Sequence, residues 1–134
     1  MKILLDTHIL LWALTDDPHL PSKARRLIEN PDNTVFYSIV SPWEVEIKRL
    51  AHPKEMALGA EELVGYCAES GFHCLPVREE HIFLLGSLQR EPLSPPHRDP
   101  FDRIMVCQCA SDNLLFVTHD ALIAGYTDPC IFFV

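Results

Sequence analysis

Apolar residues in this chain come in short blocks of two kinds. "KILL", "NTVFYSIV", "FHCLPV", "LLFVT" and "CIFFV" are continuous apolar or β-branched runs without polar alternation, as in strands covered on both faces. Between them lie segments with helical spacing. "THILLWAL" sets Ile9, Trp12 and Ala13 on one face, and "PSKARRLIEN" opens on Pro21-Ser22. "SPWEVEIKRL" has Ser41 as its expected N-cap, Pro42 in the first turn and Glu44 at the third position, a capping box. "GAEELVGYCAESG" is amphipathic and stops at Gly71. "REEHIFLLGSL" and "PFDRIMVCQCAS" complete the helices, and "HDALIAGY" reads as a short helical turn. "QREPLSPPHRDP", with four prolines, must be a loop. Strands that alternate with helices predict an α/β fold: a three-layer α/β/α sandwich around a mostly parallel sheet. The 134 residues, without linker or repeat, are expected to form a single domain, 1–134.

That alternation gives the acidic residues a meaning. Asp6 ends the first strand, Glu44 follows the second, Asp99 and Asp102 open a late helix, and Asp120 follows "LLFVT". In a parallel sheet the strand C-termini share one edge, and ligands bind there where strand order reverses. Helix capping is the plain alternative for each acid, worth ~0.5–2 kcal/mol. It is weakest for Asp6 and Asp120, which terminate buried strands where an unpaired carboxylate is costly. Carboxylates gathered at one edge repel and raise one another's pKa values, and a hard cation relieves this. All-oxygen donors select Mg²⁺ or Mn²⁺. The chemistry that fits is phosphodiester hydrolysis or phosphoryl transfer by metal-activated water.

Charge constrains the partner. A formal net charge of -8, from 11 basic and 19 acidic residues, is no nucleic-acid footprint by itself. Phosphate contacts would have to come from Lys48, Arg49, Arg98 and Arg103, all expected near the same edge. His8, His97 and His119 neighbour the acids as candidate partners of carboxylate or phosphate. Thr7 and Thr118 are candidates to hydrogen-bond the carboxylates or a metal water. The five cysteines, Cys67, Cys74, Cys107, Cys109 and Cys130, lack a C-x-x-C and are expected to be reduced thiols of a cytoplasmic protein. The apolar start of the chain is broken by Asp6-Thr7-His8 and has no cleavage site, so a signal peptide is not expected. No run approaches the roughly 20 apolar residues of a membrane span.

Four blocks, in order and spacing, carry a resemblance: "LLDTHILLW", "SPWEVEIK", "HRDPFDRIMVCQC" and "FVTHD". Over nearly its whole length the chain resembles PIN-domain ribonucleases, and among them the VapC-type toxins of toxin–antitoxin pairs. The resemblance implies a Rossmann-like fold, Mg²⁺ or Mn²⁺, endonucleolytic RNA cleavage, a homodimer and a small antitoxin partner. It places the catalytic and metal-binding acids on Asp6, Glu44, Asp102 and Asp120, with Asp99 as an accessory. Two other classes, an enzyme and a signalling domain, fit less well. A haloacid-dehalogenase-like phosphatase needs a second Asp where His8 stands, and a receiver domain lacks the Trp-Glu block. A catalytically silent RNA- or protein-binding module of the same fold is the main alternative, and the intact acid quartet argues against it. Apolar "THILLWAL" and "HIFLLGSL" are the stretches expected to need cover in a dimer.

Overall fold

The computed structural model describes all 134 residues. Five strands form one sheet: β1 (Lys2–Leu5), β2 (Thr34–Ser38), β3 (His73–Leu75), β4 (Leu115–Thr118) and β5 (Ile131–Phe133). The order is β3-β2-β1-β4-β5 and every pairing is parallel. The chain winds outward from β1 through β2 to β3, then returns to lay β4 and β5 on the other side. Strand order therefore reverses between β1 and β4, which pair with Leu5 opposite Val117.

Six helices cover the sheet: α1 (Thr7–Leu14), α2 (Ser22–Glu29), α3 (Val40–Ala51), α4 (Ala60–Glu69), α5 (Glu79–Phe83) and α6 (Pro100–Asp112). Short 3₁₀ turns follow α5 at Leu84–Ser87 and β4 at Ile123–Gly125. Two cores result, one on each face of the sheet. Ile3, Leu5 and Val117 pack with Ile9 and Leu10 of α1, Ala24 of α2 and Leu63 of α4. Leu4 and Phe116 point the other way, against Ile104, Met105 and Val106 of α6. Alternate residues of β1 thus feed opposite cores, which is why its run is uniformly apolar. The three-layer sandwich expected from the pattern is the observed fold, with a sheet that is wholly parallel.

Local expectations hold unevenly. Gly71 adopts φ +76° after α4, the left-handed stop its position predicts. "HIFLLGSL" is not one helix: α5 ends at Phe83 and the chain tightens into a 3₁₀ turn. The capping box is a correction. α3 starts at Val40, so Ser41 lies inside it and caps nothing. Its hydroxyl instead meets that of Thr7 at 2.8 Å. The hydroxyl nearest the helix start is Ser38, which accepts from Val40 N at 3.2 Å. Glu44 consequently stands in the second turn and is not a capping residue.

Candidate active site

The centre of the site is a junction of two strands. Asp6 N donates to Val117 O at 3.0 Å, which carries the β1–β4 pairing one residue past β1. Asp6 is buried. Its Oδ1 accepts from Thr7 N and its Oδ2 from Thr118 Oγ1, both at 2.8 Å. Asp6 is therefore also the N-cap of α1, despite ending a buried strand. Thr118 is a fixed partner of the carboxylate, as expected, and also accepts from Asp120 N at 3.1 Å. Thr7 instead directs its hydroxyl to Ser41 and touches Asp6 through its backbone. Burial outweighs these hydrogen bonds and pushes the Asp6 carboxyl up to about 6.

Asp102 reaches the junction from the first turn of α6. Asp99 caps that helix, its Oδ1 accepting from Phe101 N at 2.9 Å and Asp102 N at 3.1 Å. Burial first, then the fields of Asp6, Asp99, Glu44 and Asp120, push the Asp102 carboxyl up to about 8. Four acids spread along the sequence thus converge on one carboxyl, as the topology requires.

Glu44 is buried. Its Oε2 stands 3.4 Å from Lys48 Nζ, one helical turn on, and its buried Oε1 has no hydrogen-bond partner. A buried carboxylate oxygen without a partner costs about 1–3 kcal/mol or more. Asp120 opens the turn after β4 and accepts from Leu122 N at 2.8 Å. No three of the acids already stand as a group able to hold a metal ion. The donor chemistry nonetheless suits a hard divalent cation: carboxylate oxygens only, one of them orphaned, and one carboxyl that burial and then its acidic neighbours hold toward its neutral form.

The basic residues divide. Lys48 is at the site, against Glu44. Arg98 is exposed. Arg103 turns inward, donating to His97 O, Tyr126 Oη and Leu85 O at 3.4, 3.2 and 3.1 Å, so it braces the loop rather than facing solvent. Arg49 is paired with Glu46.

Of the histidines, only His97 bonds an acid of the site: Nε2 meets Asp102 Oδ2 at 3.1 Å and Nδ1 meets Tyr126 Oη at 2.7 Å. Burial and the Arg90 cation hold this imidazole below its usual range. Tyr126 and Arg90 had no legible signal in the sequence. Arg90 fastens the Pro-rich loop, donating to Pro95 O at 3.0 Å and Leu122 O at 2.8 Å, and it lies 4.6 Å over the Tyr126 ring. His8 and His119 line a cleft of about 350 Å³ with Asp6, Trp12, Asp120 and Ala121.

The model of the PIN domain family matches residues 3–126. This chain belongs to the PIN-domain family. No curated protein matches the chain. Among solved structures, this PIN domain is similar to a chain in the crystal structure of VapBC2 from Rickettsia felis bound to a promoter DNA fragment. Identity is 16%, the TM-score is 0.65, and the match covers 100% of this chain and 98% of the other. It is also similar to a chain of a toxin-antitoxin complex from Klebsiella pneumoniae, at 16% identity and TM-score 0.59, covering 97% and 95%. At such identity the likeness is one of fold.

Proposed function

We propose that this PIN domain is a Mg²⁺- or Mn²⁺-dependent endoribonuclease that serves as the toxin of a toxin–antitoxin pair. The observation that carries the reading is the crowding of Asp6, Glu44, Asp102 and Asp120 at the β1–β4 switch point, with Glu44 Oε1 left buried and unpartnered. These four residues would hold the cation. When bound, it supplies a Lewis acid that activates water and offsets charge on the phosphodiester. Thr118 and the Thr7 amide fix the Asp6 carboxylate. His97 fixes Asp102, whose carboxyl burial and the neighbouring acids raise and which would serve the cation as a carboxylate ligand. Lys48 and Arg98 are the cations placed to meet backbone phosphates, and Asp99 holds α6 so that Asp102 faces inward.

The toxin role and a small antitoxin partner are supported by the fold neighbours, one a VapBC2 structure and the other a toxin-antitoxin complex. An exposed apolar stripe on α3 supports a homodimer. Ile39, Trp43, Ile47 and Leu50 recur at helical spacing, with Trp43 61% and Leu50 71% exposed. A cytoplasmic setting suits the five free cysteines.

The test is cleavage of mixed RNA with Mn²⁺ or Mg²⁺, with and without EDTA, and with fragment ends mapped. Cleavage that stops in EDTA and leaves 5′-phosphate and 3′-hydroxyl ends is expected. A 2′,3′-cyclic phosphate, or full cleavage in EDTA, overturns the metal-dependent mechanism. RNA binding without cleavage would make the protein a silent binding module.

A further inference from the structure

The acidic chain poses a problem for any RNA ligand. Of its four predicted phosphate contacts, Arg103 is committed to the loop, Arg49 is paired with Glu46 and Lys48 is shared with Glu44, so only Arg98 is uncommitted. Affinity has to come from elsewhere. The cleft beside Asp6 and Asp120 offers a different surface, built of rings. Trp12 forms one wall. Its indole is surrounded by three exposed imidazoles: His8 at 6.0 Å between ring centroids, His19 stacked at 5.9 Å and 28°, and His119 edge-on at 6.2 Å.

Two of those imidazoles are held from behind. His119 stacks on Phe133 at 5.4 Å and 20°, and its Nδ1 bonds the Val134 carbonyl. His19 is held by Asp17, whose Oδ1 lies 2.7 Å from its Nδ1. The rings are thus ordered before any ligand arrives, which limits the entropy lost on binding. Asp6 and Asp120 also line this cleft, so an occupant sits beside the acid cluster.

We infer that this cleft is a nucleobase-stacking subsite in which Trp12 and His119 hold one unpaired base of single-stranded RNA beside the bond to be cut. The inference rests on the nuclease reading above and names a part of its substrate site. Stacking suits this molecule because every base has a π-face and needs no positive charge from the protein. It also selects unpaired RNA, since a base within a duplex has no free face.

The test uses a labelled single-stranded oligoribonucleotide with Mn²⁺, binding to the full chain being followed by anisotropy in an Asp6→Asn background that stops cleavage. Trp12→Leu keeps apolar bulk and removes the ring, so it is the informative variant; Trp12→Phe keeps a π-face. Trp12→Leu is expected to weaken binding about ten-fold, while Trp12→Phe stays near the parent. Replacing single nucleotides by abasic riboses should reproduce the loss at one position in the parent and add nothing in Trp12→Leu. Equal binding by Trp12→Leu and the parent overturns the subsite, as does absence of RNA binding altogether. Cleavage by the Asp6 protein is measured alongside. If RNA is cut but Trp12→Leu changes neither binding nor KM, the subsite fails and the nuclease stands. If nothing is cut but binding depends on the Trp12 ring, the subsite stands and the nuclease fails.

Discussion

Glu44 and Asp102 carry opposite kinds of cost. The Glu44 Oε1 atom lacks a partner, whereas Asp102 is crowded by four other acids. Glu44→Gln removes a buried charge without changing shape. With no capping role to lose, it is expected to leave the melting temperature equal or higher while abolishing RNA cleavage; a lower melting temperature with cleavage kept would reverse that assignment. Asp6→Asn is expected to weaken Mn²⁺ binding at least ten-fold by calorimetry, because Asp6 is the acid at the strand junction itself. Unchanged Mn²⁺ affinity would remove Asp6 from the metal site. Tyr126→Phe removes the hydroxyl that meets His97 and Arg103. It should cost about 1–3 kcal/mol in denaturant unfolding, because two groups lose a partner. It should also lower Mn²⁺ affinity, because His97 no longer fixes Asp102; a stability loss with Mn²⁺ affinity intact would show that the hydroxyl serves the loop alone.

At the scale of elements, the Pro-rich loop is held by polar contacts more than by apolar burial. Arg90 joins it to Leu122, and backbone bonds run from Glu91 N to Gly125 O and from Thr127 N to Gln89 O, at 2.8 and 3.0 Å. The loop carries His97 to the start of α6, so a segment without regular structure completes the site. α6 itself depends on Asp99 for its cap. Asp99→Ala should destabilise by ~1 kcal/mol, and Asp99→Asn, which can still accept, should recover most of it. If Asp99→Asn also fails to cut RNA at wild-type stability, Asp99 acts on the chemistry and not only on the helix.

For the whole molecule, the acid cluster sets a pH dependence of a definite sign. Asp6 and Asp102 have carboxyls raised to about 6 and about 8. Each contributes stability in its protonated form, fully present below about pH 4 and lost as pH rises through these values. His97 works the other way, because burial disfavours its charged form, but it is already neutral above pH 7. Between pH 7 and 8.5 the Asp102 effect is therefore the one that shows. In chelator, the melting temperature should fall across that interval, and Mn²⁺ should flatten the slope. A flat profile in chelator would mean that the acids are better solvated than their burial implies. Association belongs at this scale too. Exposed large apolar residues lie on α3, at Val64 and Tyr66 of α4, at Ile82 and Phe83 of α5 and at Leu93, while the apolar residues of "THILLWAL" are buried or half-buried. Light scattering should give a dimer, and Leu50→Glu a monomer. A wild-type monomer at micromolar concentration would leave the α3 stripe to another partner.

The sequence by itself determined the order of elements, the class of fold and the edge on which the acids would lie. Periodicity and strand–helix alternation are local properties, and a parallel sheet then puts Asp6, Glu44, Asp102 and Asp120 at one edge whatever the side-chain details. Only the tertiary structure decided which polar atoms meet. Ser41 looked like a cap because its neighbours fit the pattern, but the helix began two residues earlier than that cap implies and turned it toward Thr7. Arg103 looked like a phosphate contact and became a brace, because acceptors on His97, Leu85 and Tyr126, 6, 18 and 23 residues away, surround its guanidinium. Tyr126 and Trp12 carried no sequence signal for a role at the site. Their value comes from neighbours 29 and 107 residues away in the chain, His97 and His119, which only packing brings to them.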